Sequence, residues 1–253
     1  MEIKQIEKEV KRTASFIEKQ LLAANCKRVV IGLSGGVDSS VVAALCCKAI
    51  GKENVCGFIL PYKTSSTDSI GDAKSLANFL DIKTKTIDIS PMVDAYFGTD
   101  KTERLRLGNF AARVRMAVLF DEAKSLDALV AGTGNRSELL VGYCTIYGDS
   151  ACSFEPIGHL YKTEVWQVAE FLGLPKQIIE KPPTADLWQG QTDEDELGIS
   201  YKELDSILFY LTESILPAGE LYKSFSQSKV EKVKQMILSS QFKREMPPCL
   251  GRT

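Results

Sequence analysis

Residues 29–40, VVIGLSGGVDSS, constrain this chain more than any other stretch. Val29-Val30-Ile31 is a short β-branched run, the pattern of a parallel strand covered on both faces. Ser34-Gly35-Gly36 breaks that run, because glycine permits positive φ and a close approach of backbone to a ligand. Asp38-Ser39-Ser40 then opens a helix continuing through Val41–Ile50, with an acid and hydroxyls in its first turn. Strand, glycine turn and helix N-terminus together aim several backbone N–H groups at one point, which favours an anion such as phosphate. A plain strand–helix turn with a serine cap uses the same residue types, so the weight rests on the whole string rather than on Gly-Gly.

That string, SGGVDSS, resembles the pyrophosphatase loop (PP-loop) of enzymes that split ATP between its α and β phosphates. It is not a Walker A loop, since no Lys-Ser/Thr follows the glycines at the required spacing.

Composition sets the outer limits. A chain of 253 residues with 44% hydrophobic and 25% charged residues has the make-up of a globular α/β domain with appendages. No apolar stretch is long enough to span a bilayer and no signal-peptide pattern opens the chain, so a cytoplasmic protein without membrane partners is expected. A net charge of −2 gives no reason to expect a large nucleic-acid surface. The seven cysteines form no CxxC pair, and their odd number argues against a complete disulfide framework.

Along the chain, Ile3, Ile6, Val10, Ile17 and Leu21 fall at helical spacing. Strand-like segments Asn54–Leu60, Lys83–Ile89 and Ala128–Ala131 alternate with helical patterns over Thr67–Leu80 and Leu105–Lys124. This alternation predicts a Rossmann-like parallel sheet with helices on both faces and ligand sites at the carboxyl ends of the strands. From about residue 143 the strand signals thin out. No interdomain linker is evident, so residues 1–253 read as one domain.

A second glycine-containing loop, Gly132-Thr133-Gly134-Asn135, follows the strand Ala128–Ala131. Glu138, three residues past Asn135, is either a capping-box acid at a helix start or, if the two loops lie side by side, a partner for Asp38. Two carboxylates beside a polyphosphate suit Mg²⁺, which takes few protein ligands and keeps waters. Lys162 and Thr184 are ordinary in isolation. They stand out because PIGHLYKTE leads into a helix and KPPTADLWQGQTDEDELG (181–198) is a long polar loop with a tryptophan and paired prolines.

Taken in order, GLSGGVDSS, LGNFAARVRM, GTGNRSELLVGY, YGD and KPPTADLWQGQTDEDELGISY resemble the ammonia-dependent NAD synthetases, over most of the chain. The resemblance implies an adenine nucleotide alpha-hydrolase-like fold and amidation of deamido-NAD to NAD. The nicotinate carboxylate attacks the α-phosphorus of ATP, pyrophosphate leaves, and ammonia displaces AMP from the acyl-adenylate. It further implies that Gly32, Leu33, Ser34, Gly35, Gly36, Val37, Asp38 and Ser39 cradle ATP, with Thr133, Lys162 and Thr184 also contacting it. Asp38 and Glu138 would hold Mg²⁺, and Arg113 and Lys243 would contact deamido-NAD. A homodimer is implied as well, with the helix Leu105–Leu119 as the packing face.

Adenylyl transfer depends mainly on positioning and on stabilising negative charge, and the attacking carboxylate is already ionised near neutrality. No general base is therefore assigned. His159, the only histidine, is expected to be structural or solvent-facing. Three positions depart from the family pattern: Ile146 stands where many members carry lysine, Ser153 where they carry an aspartate, and Phe242 where a histidine is frequent. These departures point to a rearranged dinucleotide pocket or a changed acyl substrate. The glutamine-using variety needs a further amidohydrolase domain, for which the synthetase pattern leaves no room here. The competing expectations are another PP-loop enzyme, either a GMP synthetase-like subunit or a tRNA thiolase, and an ATP-binding module without turnover.

Overall fold

The structure, a computed structural model, describes residues 1–98, 103–186, 188, 190–213 and 218–250. Its sheet has four parallel strands, β1 (Arg28–Gly32), β2 (Val55–Ile59), β3 (Lys83–Thr86) and β4 (Ala128–Val130), in the order β3-β2-β1-β4. Alternate strand residues enter different cores, as the period of two requires. Val29, Ile31, Val55 and Ile59 face helices α1 (Ile3–Ala23), α2 (Val37–Ile50), α3 (Thr67–Leu80) and α7 (Lys162–Phe171). Val30, Phe58 and Val130 face α4 (Ser90–Phe97) and α5 (Arg104–Ser125). The expected parallel sheet with helices on both faces is thus the fold found. Ile6, Val10, Ile17 and Leu21 form the buried stripe of α1, while Ile3, in its first turn, is exposed.

β1 lies between β2 and β4, so the chain leaves it on both sides. The loops after β1 and β4 diverge at their carboxyl ends and leave a crevice there, as at the switch point of any open α/β sheet. Both glycine loops of the sequence therefore reach the same place.

Two elements differ from the sequence expectation. β3 ends at Thr86 rather than Ile89. Asp88 accepts hydrogen bonds from the backbone N–H of Ser90 (2.8 Å) and its hydroxyl, and Pro91 then opens α4, a helix that the sequence pattern did not suggest. The backbone still pairs beyond the strand, with Ile87 N–H donating to Ile59 O (2.9 Å). All four β3 residues are exposed, and its lysines suit a sheet edge.

The second difference is the C-terminal third, where helices replace the thinning strand signals. Past α6 (Arg136–Val141), whose start the sequence already places just before Glu138, these are α8 (Lys176–Ile179), α9 (Asp193–Leu197), α10 (Tyr201–Thr212), α11 (Ala218–Ser224) and α12 (Gln227–Ser239). α6 and α9–α12 enclose a separate core of Tyr201, Leu204, Ile207, Leu208, Val230 and Val233. Several are short and separated by side-chain caps such as Thr192 and Ser200, so each shows too few turns for a clear helical period. Among the described residues all seven cysteines are free thiols, and no helix is long and apolar enough to cross a membrane.

Behind the β4 loop, Ala131 bridges to Phe154 in parallel, and a Cβ on Gly132 would meet the Glu155 carboxyl carbon at 2.5 Å and the Cys152 sulfur at 2.6 Å. Glu155 Oε2 accepts the Gly134 N–H at 3.1 Å, which fixes the loop carrying Thr133. Burial pushes the Glu155 carboxyl up to about 7, against the opposing hydrogen bonds from Cys152 and Gly134. Its folded value lies above the unfolded one of 4.5, so folding favours the protonated acid. The stability this gives is complete below about pH 4.5 and is lost as pH rises through about 7. Glu155→Gln should therefore be more stable than the parent at pH 8, by on the order of 1–3 kcal/mol, and show no such gain at pH 4.5. Urea titrations at the two pH values measure this, and an equal effect at both would contradict it.

Candidate active site

The loop after β1 closes on its own side chains. The Ser34 N–H donates to Ser39 Oγ (3.3 Å), the Gly36 N–H donates to Ser34 Oγ (3.2 Å), and the Ser39 and Ser40 hydroxyls donate to Gly36 O (3.1 and 2.7 Å). Gly35 has φ +77°, and a Cβ there would lie 2.3 Å from the Ser69 carbonyl oxygen, so no side chain fits. Gly36 caps α2 and places Asp38 in its first turn.

The loop after β4 delivers the opposite wall. Asn135, fully buried, caps α6: its side chain accepts the Glu138 N–H (3.0 Å), while Glu138 Oε2 accepts the Asn135 N–H (3.3 Å). Asn135 Nδ2 also donates to Asp38 Oδ1 at 2.9 Å, which joins the two loops directly. Glu138 is thus the capping-box acid through Oε2, while Oε1 turns toward Lys162.

Lys162 opens α7 and is only 2% exposed. Its ammonium donates to Asp38 Oδ2 at 2.5 Å, lies 3.4 Å from Glu138 Oε1, and sits 5.1 Å from the Tyr201 ring centroid. Burial opposes its charge, but Asp38 and Glu138 outweigh that and leave its pKa raised. Burial first, with Asp38 and Asp193 adding to it against the pull of Lys162, pushes the Glu138 carboxyl up to about 8. Asp193, in the first turn of α9, is also raised by burial, opposed by Lys162 and by hydrogen bonds from Tyr143 and Tyr201.

These groups border a cavity of about 530 Å³. Gly32, Leu33, Ser34, Gly36, Val37, Asp38 and Ser39 line it from the β1 side, and Thr133 and Glu138 from the β4 side. Lys162, Thr184 and Lys243 complete the wall. Thr184 is held by the segment 181–186: its hydroxyl oxygen accepts the Asp186 N–H (3.0 Å), and Asp186 in turn accepts the Ser66 N–H (3.1 Å). Lys181 binds Ser69 Oγ and Asp72 Oδ2 at the start of α3 (3.1 and 2.7 Å). Leu187 and Gln189 of the same loop lie outside the described residues. Lys243 Nζ donates to Gly142 O and Cys144 O, both at 2.7 Å.

Two expected site residues do not line the cavity. Gly35 turns toward Ser69, so its part is to shape the loop. Arg113, on α5, donates to Ile146 O (3.2 Å) and Asn109 O (3.5 Å) and lies outside the lining. Arg115, two residues on, does line it, and donates to Leu60 O (2.9 Å) and Ser65 Oγ (3.4 Å). His159 binds Glu9 on α1 at 2.6 Å, the structural role expected of it.

Sequence reading passed over Tyr143, Asp193, Tyr201 and Arg115, although each falls inside a quoted string. Four acids follow one another from Asp193 to Glu196, and only the helix start at Thr192 determines which of them turns inward.

The arrangement is that of an anion cradle with buried carboxylates and one buried ammonium at its mouth. A sequence model of the NAD synthase family matches residues 9–247. The NH(3)-dependent NAD(+) synthetase of Fusobacterium nucleatum is 44% identical over 234 residues, covering 92% of this chain and 91% of the relative. Among solved structures, the NH3-dependent NAD synthetase from Campylobacter jejuni has a TM-score of 0.84 at 35% identity, covering 99% of this chain and 100% of the other. The NMN synthetase from Francisella tularensis has a TM-score of 0.87 at 31% identity, with 98% and 99% covered. Motifs, fold and site agree with these likenesses, and the chain belongs to the NAD synthase family.

Proposed function

We propose that this chain amidates deamido-NAD to NAD with ammonia and ATP, acting over residues 1–253 as one synthetase domain in the cytoplasm. The observation that carries the proposal is Lys162, buried between Asp38 and Glu138 at the mouth of the glycine loop. The named activity of the ammonia-dependent relatives supports it.

The nicotinate carboxylate oxygen attacks the α-phosphorus as the bond to the bridging oxygen breaks, and pyrophosphate leaves with the electron pair. Ammonia then adds to the acyl carbon, the acyl–phosphate bond breaks, AMP leaves, and the nitrogen sheds a proton. Loop amides between Gly32 and Ser39, together with Lys162, stabilise the charge that shifts onto the phosphate oxygens. Thr133 and Thr184 hold the nucleotide from opposite walls. Asp38 and Glu138 suit Mg²⁺, whose hard charge would neutralise the polyphosphate. Asp38, Glu138 and Asp193 gather about the single ammonium of Lys162, and Asp38 and Asp193 both act against ionisation of Glu138, a repulsion that a cation between the carboxylates would relieve.

Arg113 lies outside the cavity of its own chain, and exposed Met92, Tyr96, Leu105 and Phe120 lie on or beside its helix. Both observations favour a homodimer packed through α4 and α5, in which Arg113 reaches the dinucleotide across the interface. Light scattering should then give a mass near twice 27.9 kDa, and a monomer at micromolar concentration would exclude that arrangement.

A second reading follows from Ile146, Ser153 and Phe242. Ile146 is half-buried, the Ser153 hydroxyl oxygen is engaged by the Val130 N–H at 3.1 Å, and Phe242 is exposed, so none offers a charge to a dinucleotide. The likeness to an NMN synthetase makes nicotinate mononucleotide the alternative acyl substrate.

Incubation with ATP, Mg²⁺, ammonium and each acid, with AMP and amide product followed together, tests both readings. NAD and AMP in equal amounts, with kcat/KM at least about tenfold in favour of deamido-NAD, is the expected result; about 1.4 kcal/mol of discrimination gives that ratio. A reversed preference establishes the mononucleotide reading, and no AMP with either acid overturns both. Asp38→Ala should lower AMP formation by about a hundredfold or more, the scale of losing one preorganised electrostatic contact. Near-normal turnover would remove Asp38 from metal and phosphate binding.

A further inference from the structure

Asp193 takes part in none of the steps above, yet it is 4% exposed and lines the cavity beside Lys162. A helix-start acid that only answers the helix dipole has no need to be buried. Its neighbours behave in that ordinary way: Glu194 accepts the Tyr201 N–H (2.7 Å) and Asp195 accepts the Thr192 hydroxyl (2.5 Å). Asp193 instead receives two phenols, Tyr143 OH on Oδ1 and Tyr201 OH on Oδ2, each at 3.1 Å. Its backbone N–H donates to Pro183 O at 3.0 Å, next to Thr184.

The Tyr201 hydroxyl lies between two carboxylates, 3.1 Å from Asp193 Oδ2 and 3.5 Å from Glu138 Oε1. A phenol has one proton and donates it to one acceptor at a time. With Asp193 ionised, that proton goes to the nearer carboxylate, and Glu138 Oε1 keeps its lone pairs for Lys162 and a cation. Without that charge, the phenol turns to Glu138 and competes with both.

We propose that Asp193 is a positioning residue that draws the Tyr201 proton away from Glu138, and so keeps Glu138 open to a divalent cation while its backbone anchors the Thr184 segment. This rests on the reading that Asp38 and Glu138 hold the metal on the nucleotide. It does not depend on which acid is amidated.

The test is the affinity for Mn²⁺ in the presence of non-cleavable α,β-methylene ATP, read by electron paramagnetic resonance, so that no turnover is needed. Asp193→Asn, which keeps the shape of the side chain, should weaken Mn²⁺ binding about fivefold, the weight of one hydrogen bond. Tyr201→Phe alone should leave it within about twofold, because the aromatic ring under Lys162 remains. Combining the two should restore affinity to within about twofold of the parent, since the competing proton is gone; a role confined to folding would not produce that rescue. Unchanged Mn²⁺ affinity in Asp193→Asn, or no recovery in the double variant, overturns the positioning role alone. Failure of the parent chain to bind Mn²⁺ with the nucleotide overturns it together with the metal assignment of Asp38 and Glu138.

Discussion

The ammonium of Lys162 cannot stay buried without partners, because desolvating a lone cation costs several kcal/mol or more. Its partners arrive from separate parts of the chain: Asp38 from the start of α2 and Glu138 from the start of α6, while Lys162 itself opens α7. The pairing therefore requires the β1 loop, the β4 loop and the α7 entry to meet within a few ångströms. Asn135 strengthens that requirement by capping α6 and donating to Asp38 with the same side chain. A buried ion pair of this kind is weak evidence for stability, since apolar packing is often at least as stabilising. What it supplies is placement, in that charged side chains from three separate loops are held together before any ligand arrives.

The sheet makes that meeting possible. With β1 between β2 and β4, the chain departs on both sides of one strand and the crevice opens above it. This much was legible in the residues. Val29-Val30-Ile31 and Ala128–Ala131 are short apolar runs followed by glycine loops, and periodicity distinguishes them from the helices Thr67–Leu80 and Leu105–Lys124. α3 has those same bounds, and β4 ends one residue earlier than expected. Alternation of strand and helix then leaves few topologies, all of which bring strand ends together.

What stayed hidden depended on contacts between distant residues. Asp193 is one of four consecutive acids, and only the entry of α9 against Tyr143 and Tyr201 turns it inward. Arg113 and Arg115 sit two residues apart on one helix, so they point to different faces; residue type cannot say which meets the cavity of its own chain. β3 was over-extended because Ile87 and Ile89 continue the apolar alternation and still bond toward β2, while the Asp88 carboxylate already takes the Ser90 N–H at the start of the next helix. For Asp193 the deciding partners are distant in the chain, whereas for β3 the deciding contact spans only two residues.

The departures from the family pattern fall on one side of this division. Asp38, Glu138, Lys162 and Asn135 are interlocked, so changing any one strands a buried polar or charged group. Ile146, Ser153 and Phe242 belong to no such network: an isoleucine, a serine bonded to backbone and an exposed phenylalanine can each be exchanged without leaving a buried charge alone. Physical coupling thus resists change around Lys162 and permits it at these three positions, none of which lines the cavity. A chain with this architecture can vary at such positions while the interlocked side chains around Lys162 stay fixed, because only the latter leave a buried charge without its partner when one of them changes.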